Sequence, residues 1–80
     1  MGARVVFLGR LRDLAEAEAM TLSAPLTWQV LLDALPLSVR EALQDDRVRV
    51  ACDGKLLSDR TLLQAGDGAE VALLPPVSGG

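Results

Sequence analysis

The sequence has 80 residues, enough for one small domain that hides only about 60–65% of its unfolded surface. Half of the residues are apolar but only 2% are aromatic, so an aliphatic core is expected, and a net charge of −3 without a basic run argues against nucleic-acid binding. No apolar stretch approaches the roughly 20 residues that span a bilayer, and no signal segment opens the chain. We therefore expect a cytoplasmic protein that does not bind membranes.

The N-terminal third predicts two strands. Residues 4–8 form a short apolar run with β-branched content that ends at Gly9, typical of a central strand buried on both faces. After it, Leu11 and Leu14 are three residues apart, which fits one helical turn over the end of the core. Residues 16–22 alternate in polarity in their second half and are followed by turn residues, which favours a second strand.

Two helices are predicted next. Thr27 is a candidate N-cap, and Pro36 ends the helix that follows. The apolar stripe of this helix consists of Trp28, Leu31, Leu32 and Leu35. Ser38 and Glu41 have the spacing of a capping box, which predicts a second short helix through Leu43.

The C-terminal half predicts further strands. Residues 47–51 alternate between charged and aliphatic side chains, Asp53-Gly54 is a hairpin signal, and residues 55–57 can pair back. Residues 64–68 read as a turn, and residues 69–74 as the last strand. The order of elements predicts an α+β fold, a sheet with its helices packed on one face.

The last six residues, 75–80, are the most informative segment, and we call them the tail. Pro75 and Pro76 lack the N–H groups that a sheet ladder needs, so the last strand must stop at Leu74. The sequence thus divides into a domain of residues 1–74 and an extended tail of about 20 Å. Gly79 and Gly80 fit a narrow channel and end in a free carboxylate. That carboxylate is a poor electrophile, so acyl chemistry needs activation by a partner.

Catalytic side chains are scarce. The chain has no histidine and one cysteine, Cys52, so it offers neither a His-dependent triad nor a disulfide, and no metal or cofactor site is predicted. Cys52 follows an apolar run and is interpreted as a packing residue. Asp45 and Asp46 are read as a solvated turn without a catalytic role. We expect no catalysis by this chain alone.

The whole sequence closely resembles the small subunit of molybdopterin synthase, the MoaD family of ubiquitin-like sulfur carriers. The residues that carry the resemblance are Val5-Val6-Phe7-Leu8 with Arg12-Asp13-Leu14, Gly66-Asp67-Gly68-Ala69-Glu70-Val71, and Pro75-Pro76-Val77-Ser78-Gly79-Gly80. The resemblance implies a β-grasp fold with a mixed sheet, in which the first and last strands are neighbours in the centre.

The resemblance also implies a reaction cycle. A MoeB-like adenylating enzyme uses ATP and magnesium to convert the Gly80 carboxylate to an acyl-adenylate, and a sulfur donor then makes the thiocarboxylate. A MoaE-like large subunit accepts the tail and transfers the sulfur to cyclic pyranopterin monophosphate, so the functional state is a hetero-oligomer. Gly80 bears the reacting group, Gly79 gives clearance, and Pro75 and Pro76 set the direction of the tail.

Leu73 and Leu74 are the candidate docking residues, at positions that are often aromatic in relatives. Strand alternation lets only one of them face a partner.

Three other functions stay open. A related Gly-Gly carrier could deliver sulfur for thiamin, cysteine or tRNA thiolation. A ubiquitin-like modifier would join Gly80 to a lysine of a target protein. A plain interaction module would not need Gly79 or Gly80 for its activity.

Overall fold

Residues 2–76 are described by the computed structural model, and they form seven strands, three α-helices and one 3-10 helix. In chain order the elements are β1 (Gly2–Phe7), α1 (Arg10–Ala15), β2 (Ala19–Ser23), β3 (Leu26–Thr27), α2 (Trp28–Ala34), α3 (Leu37–Ala42), β4 (Arg49–Cys52), β5 (Lys55–Leu56), the 3-10 helix (Arg60–Leu62), β6 (Gln64–Ala65) and β7 (Glu70–Leu74).

Five strands form one mixed sheet in the order β2-β1-β7-β4-β5. The first and last strands, β1 and β7, are parallel neighbours in its centre, and every other pair in this sheet is antiparallel. The expected α+β architecture is thus confirmed, as is the central pair implied by the β-grasp resemblance.

The core lies between this sheet and the helices. It is aliphatic apart from Phe7, and its fully buried large side chains are Phe7, Leu11, Leu26, Leu31, Leu43, Leu63, Leu73, Val5, Val39, Val50 and Val71. In β1 the odd-numbered residues are buried, whereas Arg4 is exposed and Val6 is half-buried. The expectation that this strand is buried on both faces was wrong, because the helices cover only one face of the sheet.

The helix boundaries test two capping predictions. Thr27 caps α2 as predicted, because its Oγ1 accepts a hydrogen bond from the N–H of Val30 at 3.3 Å. The capping box was wrong, since α3 begins at Leu37 after Pro36, with no side-chain cap. The Ser38 hydroxyl instead donates to the carbonyl of Leu14 at 3.4 Å and joins α3 to α1.

The hairpin prediction was correct, and one strand pair was missed. Asp53 and Gly54 both have positive φ, 51° and 82°, as a two-residue hairpin between β4 and β5 requires. Residues 64–68, predicted as a turn, begin with β6, which pairs with β3 in a small second sheet. Strands of two residues carry too short a pattern to be recognised in the sequence.

Candidate functional site: the tail base and the open face of the sheet

The tail leaves from the centre of the sheet. β7 is paired with β1 on one side up to Leu73 and with β4 on the other side up to its last residue, Leu74, where the sequence predicted it to stop. Pro75 and Pro76 follow outside the strand and are half-buried against the domain. Gly79 and Gly80 lie outside the described residues, so their predicted roles stay predictions.

The two candidate docking residues face opposite sides of the sheet. Leu73 is fully buried in the core, and Leu74 is half-buried on the other face. Leu73 is therefore excluded as a docking residue, because no partner can reach it while the core is intact. Leu74 alone keeps the predicted role.

The face that carries Leu74 has an apolar row running across all five strands. Cross-strand partners point to the same side of a sheet, and the registers join Val6 to Ala19 and Ala72, Ala72 to Ala51, and Ala51 to Leu56. We call Ala19, Val6, Ala72, Ala51 and Leu56 the cross-sheet row. Leu56 is 58% exposed and the other four are half-buried, so in the described part of the chain this face is open to solvent.

Charged residues border the row. Arg49 is the register partner of Leu74, and Arg4 is the partner of Glu70. All three charged side chains are exposed. An apolar centre with a charged rim is the usual make-up of a protein–protein interface.

The turn after β1 lies against the base of the tail. The N–H of Leu8 donates to the carbonyl of Leu73 at 3.3 Å, and the Leu8 side chain is 40% exposed. Gly9, with φ of 55°, comes so close to Pro75 that a Cβ at Gly9 would lie 2.9 Å from Pro75 Cγ. The roles of Leu8, Gly9 and the cross-sheet row were not predicted from the sequence, because long-range strand pairing brings these residues into place.

The surroundings of Cys52 and Asp45 indicate structural roles for both residues. Burial, with a smaller contribution from the charge of Asp53, raises the pKa of the Cys52 thiol, and the side chain packs against the core. Hydrogen bonds from the Arg47 side chain and N–H lower the pKa of Asp45 to about 2. The thiol therefore lacks the thiolate character of a nucleophile, and Asp45 stabilises a turn.

Residues 2–76 contain neither a candidate membrane-spanning helix nor a candidate metal-binding cluster. No helix in this range has the length and apolar character needed to cross a membrane. Within the same range, no three His, Cys, Asp or Glu side chains are grouped so that they could hold a metal ion.

Comparison with solved structures identifies the same fold in several proteins. The Haloferax volcanii HVO 2177 protein has a TM-score of 0.78 and 22% identity over 100% of this chain and 87% of its own. The small archaeal modifier protein 1 of Methanosarcina acetivorans has a TM-score of 0.74 and 23% identity over 98% of this chain and 95% of its own. A Helicobacter pylori complex of subunits 1 and 2 of molybdopterin-converting factor contains a chain with a TM-score of 0.69 and 24% identity over 100% of both chains.

The sequence identities to these solved structures are too low to assign the chain to a family, but a family model does assign it. No curated protein sequence matches the chain significantly. The model of the ThiS family matches residues 5–80, which is nearly the whole chain and includes the tail. The chain therefore belongs to the ThiS family, of the ThiS/MoaD type of ubiquitin-like sulfur carriers and modifiers.

Proposed function

We propose that this protein is the sulfur-carrying small subunit of a molybdopterin synthase. The observation that carries the proposal is the position of β7, a central strand that ends at Leu74 beside an open apolar face and leads through Pro75 and Pro76 to the C-terminal Gly-Gly sequence. Family membership over residues 5–80 and the fold shared with a molybdopterin-converting factor chain support it.

The chemistry takes place at Gly80. Its carboxylate attacks the α-phosphate of ATP in the adenylating enzyme, which releases pyrophosphate and forms an acyl-adenylate. A hydrosulfide ion from the sulfur donor then attacks the acyl carbon, AMP leaves with the bonding electrons, and loss of the sulfur-bound proton gives the thiocarboxylate. Transfer of that sulfur to cyclic pyranopterin monophosphate, with oxygen returned from water, restores the carboxylate.

The described residues have a binding role in this cycle. Leu74, Leu8 and the cross-sheet row form the surface on which the large subunit and the adenylating enzyme dock. Pro75 and Pro76 direct the tail away from this surface, and Gly79 gives it clearance in the partner's channel. The catalytic bases, ATP and magnesium belong to the partners, since this chain provides a substrate group and a docking face.

Reconstitution tests the pathway. The thiocarboxylated protein is mixed with a molybdopterin synthase large subunit and cyclic pyranopterin monophosphate, and the dithiolene product is measured with the untreated carboxylate form as control. Product formation that depends on the thiocarboxylate supports the proposal. Sulfur transfer to a thiamin, cysteine or tRNA thiolation system, with none to the pterin, would assign the protein to one of those pathways instead.

A protein modifier is the second candidate, and the fold shared with small archaeal modifier protein 1 favours it. In that case Gly80 would form isopeptide bonds with lysines of other proteins. The two functions are separated by incubating the adenylated protein with cell extract and searching tryptic digests for the tail attached to lysine. Such conjugates without any thiocarboxylate would favour the modifier.

A further inference from the structure

We propose that Gly9 is a positioning residue, which sets the direction of the tail through its contact with Pro75. The inference rests on the proposed function, because it concerns how the tail is presented to the adenylating enzyme. It assigns to the β1–α1 turn a role in sulfur loading that is separate from docking.

The turn that contains Gly9 is held on both sides. Before it, the N–H of Leu8 donates to Leu73, and after it the carbonyl of Gly9 accepts a hydrogen bond from the N–H of Arg12 at 3.1 Å. Leu11, in the first turn of α1, is 1% exposed and packs in the core. The turn therefore cannot move away from the tail without disturbing the core.

Gly9 combines two requirements that glycine alone meets. Its φ of 55° and ψ of −131° lie in a region that L-residues with a Cβ rarely adopt. An added Cβ would also lie 2.9 Å from Cγ and 3.8 Å from Cδ of Pro75. Real Cβ atoms do not approach a neighbour this closely, so one of the two segments has to shift.

We expect Pro75 to shift, while the turn at Gly9 stays in place. The strand residues before Pro75 are paired on both sides up to Leu73, and Leu74 is still paired with Arg49 of β4. Pro75, in contrast, lies beyond the ladder and has no N–H to anchor it. A Cβ at Gly9 thus redirects the tail at its base and leaves the core and the cross-sheet row in place. Because the reacting carboxylate is five residues further on, a small change in direction at Pro75 moves it out of the adenylation geometry.

The contact between Gly9 and Pro75 should have a kinetic signature. Docking determines the KM of the carrier, and alignment of the Gly80 carboxylate with ATP determines kcat. A misplacement of about 1 Å can lower a rate about 100-fold. We expect Gly9→Ala to lower kcat for carrier-dependent pyrophosphate release at least about tenfold, with KM changed less than about twofold.

Gly68 provides the matched control. Its φ of 84° is also positive, but a Cβ there would meet no atom within 4 Å, and Gly68 lies before β7, at the opposite end of that strand from Pro75. Gly68→Ala therefore tests conformational strain without the contact. We expect both variants to lower Tm, and only Gly9→Ala to lower kcat.

A second background tests the contact itself. Pro75→Gly removes the two ring atoms that the new Cβ would meet, so Gly9→Ala should cost less than about twofold in kcat when it is added to Pro75→Gly. An equal loss of kcat in both backgrounds, or an equal loss for Gly9→Ala and Gly68→Ala, would overturn the inference.

NMR of the free protein separates this inference from the proposed function. We expect Gly9→Ala to shift the backbone amide signals of Leu74 and of residues 77–80, and Gly68→Ala to leave those signals unchanged. If an adenylating enzyme that is active on its own carrier does not adenylate the wild-type protein, the proposed function fails. The NMR comparison still shows whether Gly9 controls the direction of the tail. Unshifted tail signals in Gly9→Ala would refute the positioning role even if the wild type is adenylated.

Discussion

Phe7 and Leu73 are direct partners in the parallel pair of β1 and β7, and both side chains are buried. Because parallel neighbours run in the same direction, the first and last strands end at the same edge of the sheet. The tail therefore starts beside the turn that follows β1, and the hydrogen bond from Leu8 to Leu73 fixes that arrangement. The same strand pair therefore contributes to the hydrophobic core and determines where the tail starts.

Deletion of Gly79 and Gly80 should abolish sulfur loading and leave the fold intact. In the described residues the buried core ends at Leu73, so the change in the free energy of unfolding should stay within about 0.5 kcal/mol. Urea denaturation measures the stability, and mass spectrometry of the loaded protein measures the sulfur. Unfolding of the deletion variant would contradict the division into a domain and a tail.

Alanine substitutions at Leu73 and Leu74 should affect different properties, stability in the first case and partner binding in the second. Leu73→Ala leaves a cavity in the core and should lower the free energy of unfolding by about 2–5 kcal/mol. Leu74→Ala should cost less than about 1 kcal/mol, because the side chain is already half exposed. Calorimetric titration with the large subunit should show weaker binding of Leu74→Ala. Wild-type affinity of this variant would remove Leu74 from the docking surface.

Arg60 should be a stabilising residue despite its charge. Its Nη1 donates to the carbonyls of Asp45 at 2.9 Å and Val48 at 3.3 Å, and the guanidinium lies 5.0 Å from the ring centroid of Trp28. Arg60→Ala should cost about 1.5–4 kcal/mol, the sum of two hydrogen bonds of about 0.5–1.5 kcal/mol each and a cation–π contact of about 0.5–1 kcal/mol. Denaturant unfolding followed by Trp28 fluorescence measures this cost, and Arg60→Lys should be intermediate. A loss below about 0.5 kcal/mol would indicate that solvent replaces these contacts.

Asp45 should make stability depend on pH in the acid range. Hydrogen bonds from Arg47 lower its pKa from 3.8 to about 2 in the folded state, so the ionised group stabilises the fold above its unfolded pKa. This contribution is lost as the pH falls from about 4 to about 2. The urea midpoint of wild type should exceed that of Asp45→Asn at pH 6, and the two should converge near pH 2.

Asp46→Asn is the matched control for removal of one negative charge, since the Asp46 side chain is fully exposed. It should leave the urea midpoint close to that of wild type at pH 6. A difference between wild type and Asp45→Asn that stays constant down to pH 2 would exclude titration of Asp45 as its cause.

Much of the fold could be predicted because local signals agreed with the tertiary structure. The stripe that begins at Trp28 matches α2, the Asp53-Gly54 turn matches its hairpin, and the prolines mark the end of β7. The capping box failed because α3 begins at Leu37 after Pro36, so Ser38 lies inside the helix, where its hydroxyl donates to the carbonyl of Leu14. The spacing of Ser38 and Glu41 alone cannot show that the helix already begins one residue earlier.

The candidate site was only partly predictable. The Gly-Gly end and the prolines are visible in the sequence, and alternation requires that one of Leu73 and Leu74 be exposed. Which of the two it is depends on the face that the helices cover. The cross-sheet row depends on the registers of four strand pairs, so no local pattern could have assembled it.

The most direct test of the account is mass spectrometry of the C-terminal tryptic peptide after incubation with ATP, magnesium, an adenylating enzyme and a sulfur source. Cleavage after Arg60 gives residues 61–80, which contain no methionine, so oxidation of Met1 or Met20 cannot imitate the exchange of oxygen for sulfur. The account predicts this exchange at Gly80, and also in a Cys52→Ala variant. An unchanged peptide, with an enzyme that loads its own carrier in parallel, would contradict the sulfur-carrier function.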